Sequence, residues 1–261
     1  MLGWTFNRGR SRRGMAQTVA LYSVKGGVGK TAAAVNLAAL SAAAGRRVLV
    51  WDLDPQSAAS WYLQSEAGAE RSVKKLLKPK GLAASVRPTI HNHLWVLPAL
   101  PGQQAIEHHL ADKKDAGYRL AKLIDPLAEQ FEEIWIDAPP GLSLLADNVL
   151  RAADMVLVPM VPTHLSERTW FQLKRHLDER HINPERLRAF LSLVDRRRRM
   201  HREFAERHRH DIPELLDSEI PYASVVEQMG EDQQPSVYRE PRHPANQAYR
   251  ALWDEIDGLF A

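Results

Sequence analysis

The chain has 261 residues and a mass of 29.5 kDa, with 44% hydrophobic and 26% charged residues. That balance supports a sizeable buried core and excludes wholesale disorder, and the lack of cysteine excludes a disulfide framework, a cysteine zinc site and a cysteine-held iron–sulfur cluster. Net charge is only +3, but it is unevenly spread: Phe171–His210 holds 12 basic and 6 acidic residues, Asp211–Ala261 holds 3 and 11, and a basic block of that kind suggests a polyanionic partner.

Met1–Gly14 carries Arg8, Arg10, Arg12 and Arg13 without a long apolar stretch, which is not a secretory leader. No run approaches the roughly 18–20 apolar residues that cross a bilayer. The organisation expected is a basic, flexible tail over residues 1–16, with Met15 a second candidate start, and one domain over 17–261. The default location is cytoplasmic.

Thr18–Val24 reads as a buried strand that runs into a glycine-rich turn, Lys25–Lys30. Thr31–Ala44 follows as a helix of small residues closed by Gly45. Arg46–Trp51 is a second strand ending at Asp52. Gln56–Gln64 and Arg71–Leu77 read as helices, and Pro79 and Gly81 as chain breakers. Leu94–Leu97 is a short strand, Gln103–Leu110 and Tyr118–Gln130 are helices, and Glu133–Ile136 is a strand ending at Asp137. The breaker run Ala138-Pro139-Pro140-Gly141 precedes a helix over Leu142–Arg151. Then come a strand at Met155–Met160, a helix at Leu165–Arg180, a strand at Leu187–Val194, and helices at Arg199–His208 and Pro244–Phe260.

Alternating strands and helices predict an α/β fold, a mainly parallel twisted sheet flanked by helices on both faces. Ligands bind at the carboxyl ends of such strands. Lys25–Lys30, Asp52 and Asp137 are therefore expected along one edge.

Lys25-Gly26-Gly27-Val28-Gly29-Lys30-Thr31 sits between a strand and a helix, the context of a phosphate-binding P-loop. Glycines let successive amides turn toward phosphate oxygens, and the helix adds its free N-terminal amides. Lys30 is placed to reach the terminal phosphates and Thr31 to ligate Mg²⁺. Asp52 and Asp54, two apart, share a face if the strand persists; the alternative is an Asx turn before Pro55.

The loop departs from the ordinary G-x-x-x-x-G-K-[ST] pattern, since Lys25 stands near where the first glycine would fall. In this deviant form, K-G-G-x-G-K-[ST], the sequence resembles the ParA/MinD family of P-loop ATPases. Val48–Gln56, Ile134–Gly141 and Asp154–Pro159 extend the likeness. The resemblance implies ATP and Mg²⁺ as cofactors and slow, partner-stimulated hydrolysis. It gives Lys30, Thr31 and the amides of Lys25, Gly26, Gly27, Val28 and Gly29 to the nucleotide. Asp137, expected to stay ionised, goes to Mg²⁺ through a water, Asp52 to the metal's surroundings, and Asp54 to orienting the attacking water. It implies an ATP-sandwich homodimer in which Lys25 reaches the partner's nucleotide, and places Asn36 near that interface.

Family members dock on membranes through a cationic terminal helix or on duplex DNA through late basic residues. Here the last helix carries Asp254, Glu255 and Asp257 against Arg250, which disfavours anionic lipid. Arg196, Arg197, Arg198, Arg199 and Arg202 are the candidate contacts for non-specific DNA; solvated surface is the alternative. The basic tail is a candidate addition to them. The expected function is partition or positioning of a plasmid, chromosome or protein cargo on the nucleoid, with a ParB-like partner and no membrane insertion. The alternative is a MinD-like or cellulose-synthesis-associated regulator acting through a membrane partner. The histidines at 176, 181, 201, 208 and 210 show no metal-ligand spacing.

Overall fold

The computed structural model describes residues 16–65, 79–99, 106–107, 110–111 and 116–260. The basic tail and Arg71–Leu77 lie outside these residues, as does most of Gln103–Leu110.

The strands are β1 (Gln17–Leu21), β2 (Val48–Asp52), β3 (Arg87–Pro88), β4 (Leu94–Leu97), β5 (Glu133–Asp137), β6 (Met155–Met160), β7 (Leu187–Val194) and β8 (Leu215–Pro221). They form one sheet in the order β3-β4-β2-β5-β1-β6-β7-β8. Pairing is parallel except for β3 against β4. The helices are α1 (Lys30–Ala43), α2 (Ala58–Tyr62), α3 (Pro79–Ala83), α4 (Arg119–Ala128), α5 (Leu144–Ala152), α6 (His164–Glu179), α7 (Arg199–Asp211), α8 (Ser224–Glu227), α9 (Met229–Asp232), α10 (Ser236–Arg239) and α11 (Pro244–Phe260).

Period-two alternation sorts each central strand between two apolar layers. Val19, Leu21, Val48, Val50, Trp135 and Leu157 face the layer built with α1 and α11. Ala20, Leu49, Trp51, Ile134, Ile136 and Val156 face the layer built with α4, α5 and α6. Both faces are covered, so these strands read as continuous apolar runs. Helix α1 buries 11 of its 14 residues. Its alanines let the backbone lie close to the sheet, and Gly45 at φ 91 closes it in the left-handed conformation.

Several expected boundaries move for local reasons. β1 stops at Leu21 rather than Val24, because the chain then turns into the glycine loop. Helix α5 begins at Leu144, since Ser143 caps it by accepting the Ala146 amide at 3.2 Å. Pro79 and Gly81 do not break the chain; they lie in α3, with proline at the first turn, where its missing N–H costs nothing. Two strands went unforeseen: two-residue β3, and β8, an edge strand (LLDSEIP) whose Asp217 and Glu219 hide the pattern.

Asn36 is also displaced from its expected role. It is fully buried in α1, not at an interface, and its side chain binds Ser236, Val237 and Met229.

Candidate functional site

β2, β5 and β1 are neighbours, and Asp52 and Leu21 both lie in register with Asp137. The three strand ends therefore meet at one edge, as parallel α/β topology requires. They border a cavity of about 480 Å³ lined by Gly26–Ala32, Asp54, Pro55, Tyr62 and Pro140 among others. A larger groove, about 660 Å³, opens at the opposite edge, but its Arg46–Glu133 and Arg47–Glu132 pairs largely cancel.

Gly27 and Gly29 hold φ of 71° and 88°, a conformation that side chains disfavour. A Cβ on Gly29 would also lie 2.8 Å from Ser192 Oγ, on β7. Gly29→Ala is expected to weaken nucleotide affinity about tenfold, since the left-handed conformation costs roughly 1–2 kcal/mol. Isothermal titration of Gly29→Ala with Ser192→Gly checks the cause. Because a serine side chain can rotate, the second change is expected to restore little; full recovery would mean that the contact dominates.

Lys30 is 6% exposed at the first turn of α1. Burial lowers its pKa, against the pull of Asp137 and Asp54. The ammonium is thus already stripped of water, with its balancing carboxylates beside it. Thr31 Oγ1 donates to Asp137 Oδ2 at 2.7 Å. Asp137 is fully buried, and its Oδ1 has no hydrogen-bond partner. Burial first, then the neighbouring Asp52, pushes its carboxyl up to about 8, while Thr31 and Lys30 act in the opposite sense. In the protein by itself the neutral acid is thus favoured, contrary to the ionised form expected from sequence. An orphaned carboxylate oxygen beside a hydroxyl, under a cradle of amides, fits a hard cation carried in with phosphate. A cation at Oδ1 would restore the charge.

Asp52 and Asp54 part ways. Asp52 Oδ2 accepts from the Ser60 amide at 2.8 Å and the Ser60 hydroxyl at 2.7 Å, and Oδ1 accepts from the Asp54 amide at 3.1 Å. Its expected metal role is corrected to this extent: both oxygens hold the chain, and it offers the site charge rather than an open ligand atom. Asp54 makes the Asx turn, its Oδ1 accepting from the Gln56 amide at 3.0 Å, yet it also lines the cavity. Lys25 is half-buried over a small cleft with Met160 and Trp170, and its ammonium has no ion-pair partner among the described residues.

The arginine run lies beyond the carboxyl end of β7, at the same edge of the sheet. Arg196, Arg197, Arg198 and Arg199 are 67–88% exposed at the side chain. They are not unopposed. Arg197 and Arg198 meet Asp195, Arg199 meets Glu203, and Arg196 lies 3.6 Å from Glu219. Arg202 donates to the Arg196 carbonyl. Arg209 binds Asp217 and Glu219, so the acidic end of the sequence folds back on the basic block. Among the described residues, no three His, Asp or Glu side chains gather as a metal site, and no helix is long and apolar enough to cross a membrane.

Three contributors escaped sequence reasoning. Ser60 anchors Asp52, Ser192 lies beneath Gly29, and the Tyr22 hydroxyl donates to the Gly141 carbonyl at 2.9 Å, tethering the Pro-Pro-Gly loop. Only Tyr22, a polar ring at the end of an apolar strand, left a signal.

A family model described as an AAA domain matches residues 16–185. The chromosome partitioning protein ParA of Myxococcus xanthus is 35% identical over 184 residues, 68% of this chain and 65% of that protein's length. Among solved structures, an ATP complex of a McdA variant from Cyanothece superposes with a TM-score of 0.77 at 18% identity, covering 93% of this chain and 97% of that one. Cobyrinic acid a,c-diamide synthase from Mycobacterium smegmatis, with a bound ATP analogue and magnesium, superposes at 0.76 with 27% identity, covering 92% and 93%.

Proposed function

The chain belongs to the ParA/MinD family of P-loop ATPases, and on that premise we propose that it binds ATP with Mg²⁺ and hydrolyses it slowly to time its attachment to non-specific duplex DNA. The observation that carries this reading is the Thr31–Asp137 pair, with its orphaned Oδ1, on the floor of the glycine cradle beside Lys30.

The amides of Gly26–Thr31 and the Lys30 ammonium bind and orient the phosphates. Thr31 and Asp137 would hold Mg²⁺, which supplies charge neutralisation on the phosphates when bound. Asp54, at the mouth of the cavity, orients the attacking water. Lys25, lacking a partner of its own, serves the nucleotide of a second copy. Exposed Trp61, Leu142, Leu165 and Tyr222 all follow the carboxyl ends of strands, so they ring the same edge and give a second copy apolar area to bury.

Because the arginine run lies at that edge, nucleotide-driven pairing of two copies doubles the basic surface offered to DNA. Each phosphate neutralised steepens the salt dependence by about 0.9 in log–log slope. Neutralising Arg196–Arg199 to glutamine is therefore expected to weaken DNA binding and to flatten that slope by roughly 2–3 per pair of copies; an unchanged slope would move the DNA surface elsewhere. The decisive experiment measures molecular mass and duplex binding with ADP, ATP and a slowly hydrolysed analogue. A dimer that binds DNA only with triphosphate supports the reading. A monomer in every state removes its basis, and binding to anionic liposomes without DNA binding would favour action through a membrane partner. Cargo and stimulating partner follow from the same family: a plasmid, chromosome or protein assembly, and a ParB-like adaptor.

A further inference from the structure

Three residues other than glycine with left-handed backbone gather in one place: Ser57 at φ 56°, Gln64 at 53° and Gln233 at 49°. Such conformations are uncommon for residues with side chains and persist where their surroundings hold them. Ser57 precedes α2, Gln64 follows it, and Gln233 ends α9. Two hydrogen bonds span the gap between these helices. Trp61 Nε1 donates to the Gly230 carbonyl at 2.8 Å, and Gln64 Nε2 to the Gln233 carbonyl at 3.0 Å. The Trp61 indole is 56% exposed, so apolar burial does not explain where it lies.

The receiving segment is itself fastened to the P-loop helix. Asn36 of α1 donates to Met229 Sδ at 3.2 Å and accepts from the Ser236 hydroxyl and the Val237 amide, each at 3.1 Å. At its other end α2 is fastened to Asp52 through Ser60, and the Ser57 amide donates to the Asp54 carbonyl at 2.9 Å. The contacts close a circuit. It runs from the phosphate loop along α1 to Asn36, across α9 to Trp61 and Gln64, and back through α2 to Asp54.

We infer that Trp61 and Gln64 are positioning residues for Asp54, clasping α2 to the carbonyls of Gly230 and Gln233 and so fixing the Asp54 turn relative to Lys30. Neither side chain touches nucleotide in this arrangement. Without the clasp, α2 keeps only its root at Ser60, and the Asp54 turn is referenced to β2 alone. The inference rests on the ATPase reading above.

The test uses the full chain with Trp61→Phe, which keeps the ring and removes the N–H, and Gln64→Ala, a change at an exposed residue that leaves the core intact. Single-turnover ATP hydrolysis is expected to fall about tenfold, the scale of a small misplacement of a reacting group. Nucleotide affinity is expected to stay within about twofold, so that the loss lies in turnover and not in binding. Combined, the two changes are expected to cost less than the product of their separate effects, because each opens the same clasp. Unchanged turnover would overturn the inference, as would a parallel fall in turnover, affinity and melting temperature, which marks a merely structural role. Amide hydrogen exchange over residues 54–57 gives a readout independent of catalysis. Faster exchange in Trp61→Phe supports the clasp and unaltered exchange overturns it, even if the native protein proves not to hydrolyse ATP, a result that would instead fell the ATPase reading.

Discussion

Lys30→Ala is expected to abolish measurable ATP binding while leaving the nucleotide-free protein folded. The ammonium is nine-tenths buried at the first turn of α1, and burial lowers its pKa despite two nearby carboxylates. A desolvated cation loses little further hydration when a phosphate arrives, so its charge-assisted bonds contribute nearly in full, about 1.5–3 kcal/mol each. Losing two such bonds weakens binding by more than a hundredfold. The change also leaves Asp137 without the cation that favours its ionised form, which further disfavours a metal at Oδ1. Stability without ligand should change little, because the residue lost carried its own desolvation cost. Thermal unfolding separates the two effects. At a hundredfold excess of ligand over Kd, binding adds about 2.7 kcal/mol, or about 5–10 °C for a domain of this size. That shift is expected in the native protein and absent in Lys30→Ala. A retained shift would refute the role of the lysine; a large fall in the ligand-free midpoint would make it structural.

How much of this was legible beforehand follows from what each feature depends on. The parallel sheet could be read because every central strand is buried on both faces and so appears as an uninterrupted apolar run, as in Val48–Trp51 and Ile134–Ile136. The glycine loop could be read because its function lies in the backbone, and only certain residues permit that backbone. Contacts between segments far apart in sequence left no such mark. Ser192 lies beneath Gly29, and Asn36 holds Ser236, across separations that no local periodicity encodes. The charge asymmetry was visible as two blocks, but not that Arg209 and Arg196 would turn toward Asp217 and Glu219. Likewise β8 lies at the sheet's edge, where charged side chains guard against stray pairing and blur the alternation that would have revealed it.

Asp54 presents a choice between two roles that one pair of substitutions separates. Its Oδ1 accepts the Gln56 amide, a turn that asparagine also makes well, and the residue lines the phosphate cavity within electrostatic reach of Lys30. If the carboxylate serves only the turn, Asp54→Asn should hydrolyse ATP at the native rate and Asp54→Ala should not. If its charge orients the attacking water, both should fail. The second outcome is expected, with turnover reduced roughly 10²-fold or more, the scale of a lost acid–base or water-positioning group. Binding should survive in Asp54→Asn, because the amides of Gly26–Thr31 and the Lys30 ammonium are untouched. A complex that binds ATP and cannot discharge it should persist as a dimer on DNA, so dissociation after a chase with excess unlabelled DNA should slow in parallel with turnover. Native turnover in Asp54→Asn would assign the residue to the turn alone. Loss of nucleotide affinity in Asp54→Asn would instead make it part of the binding site, with the timing of release resting elsewhere.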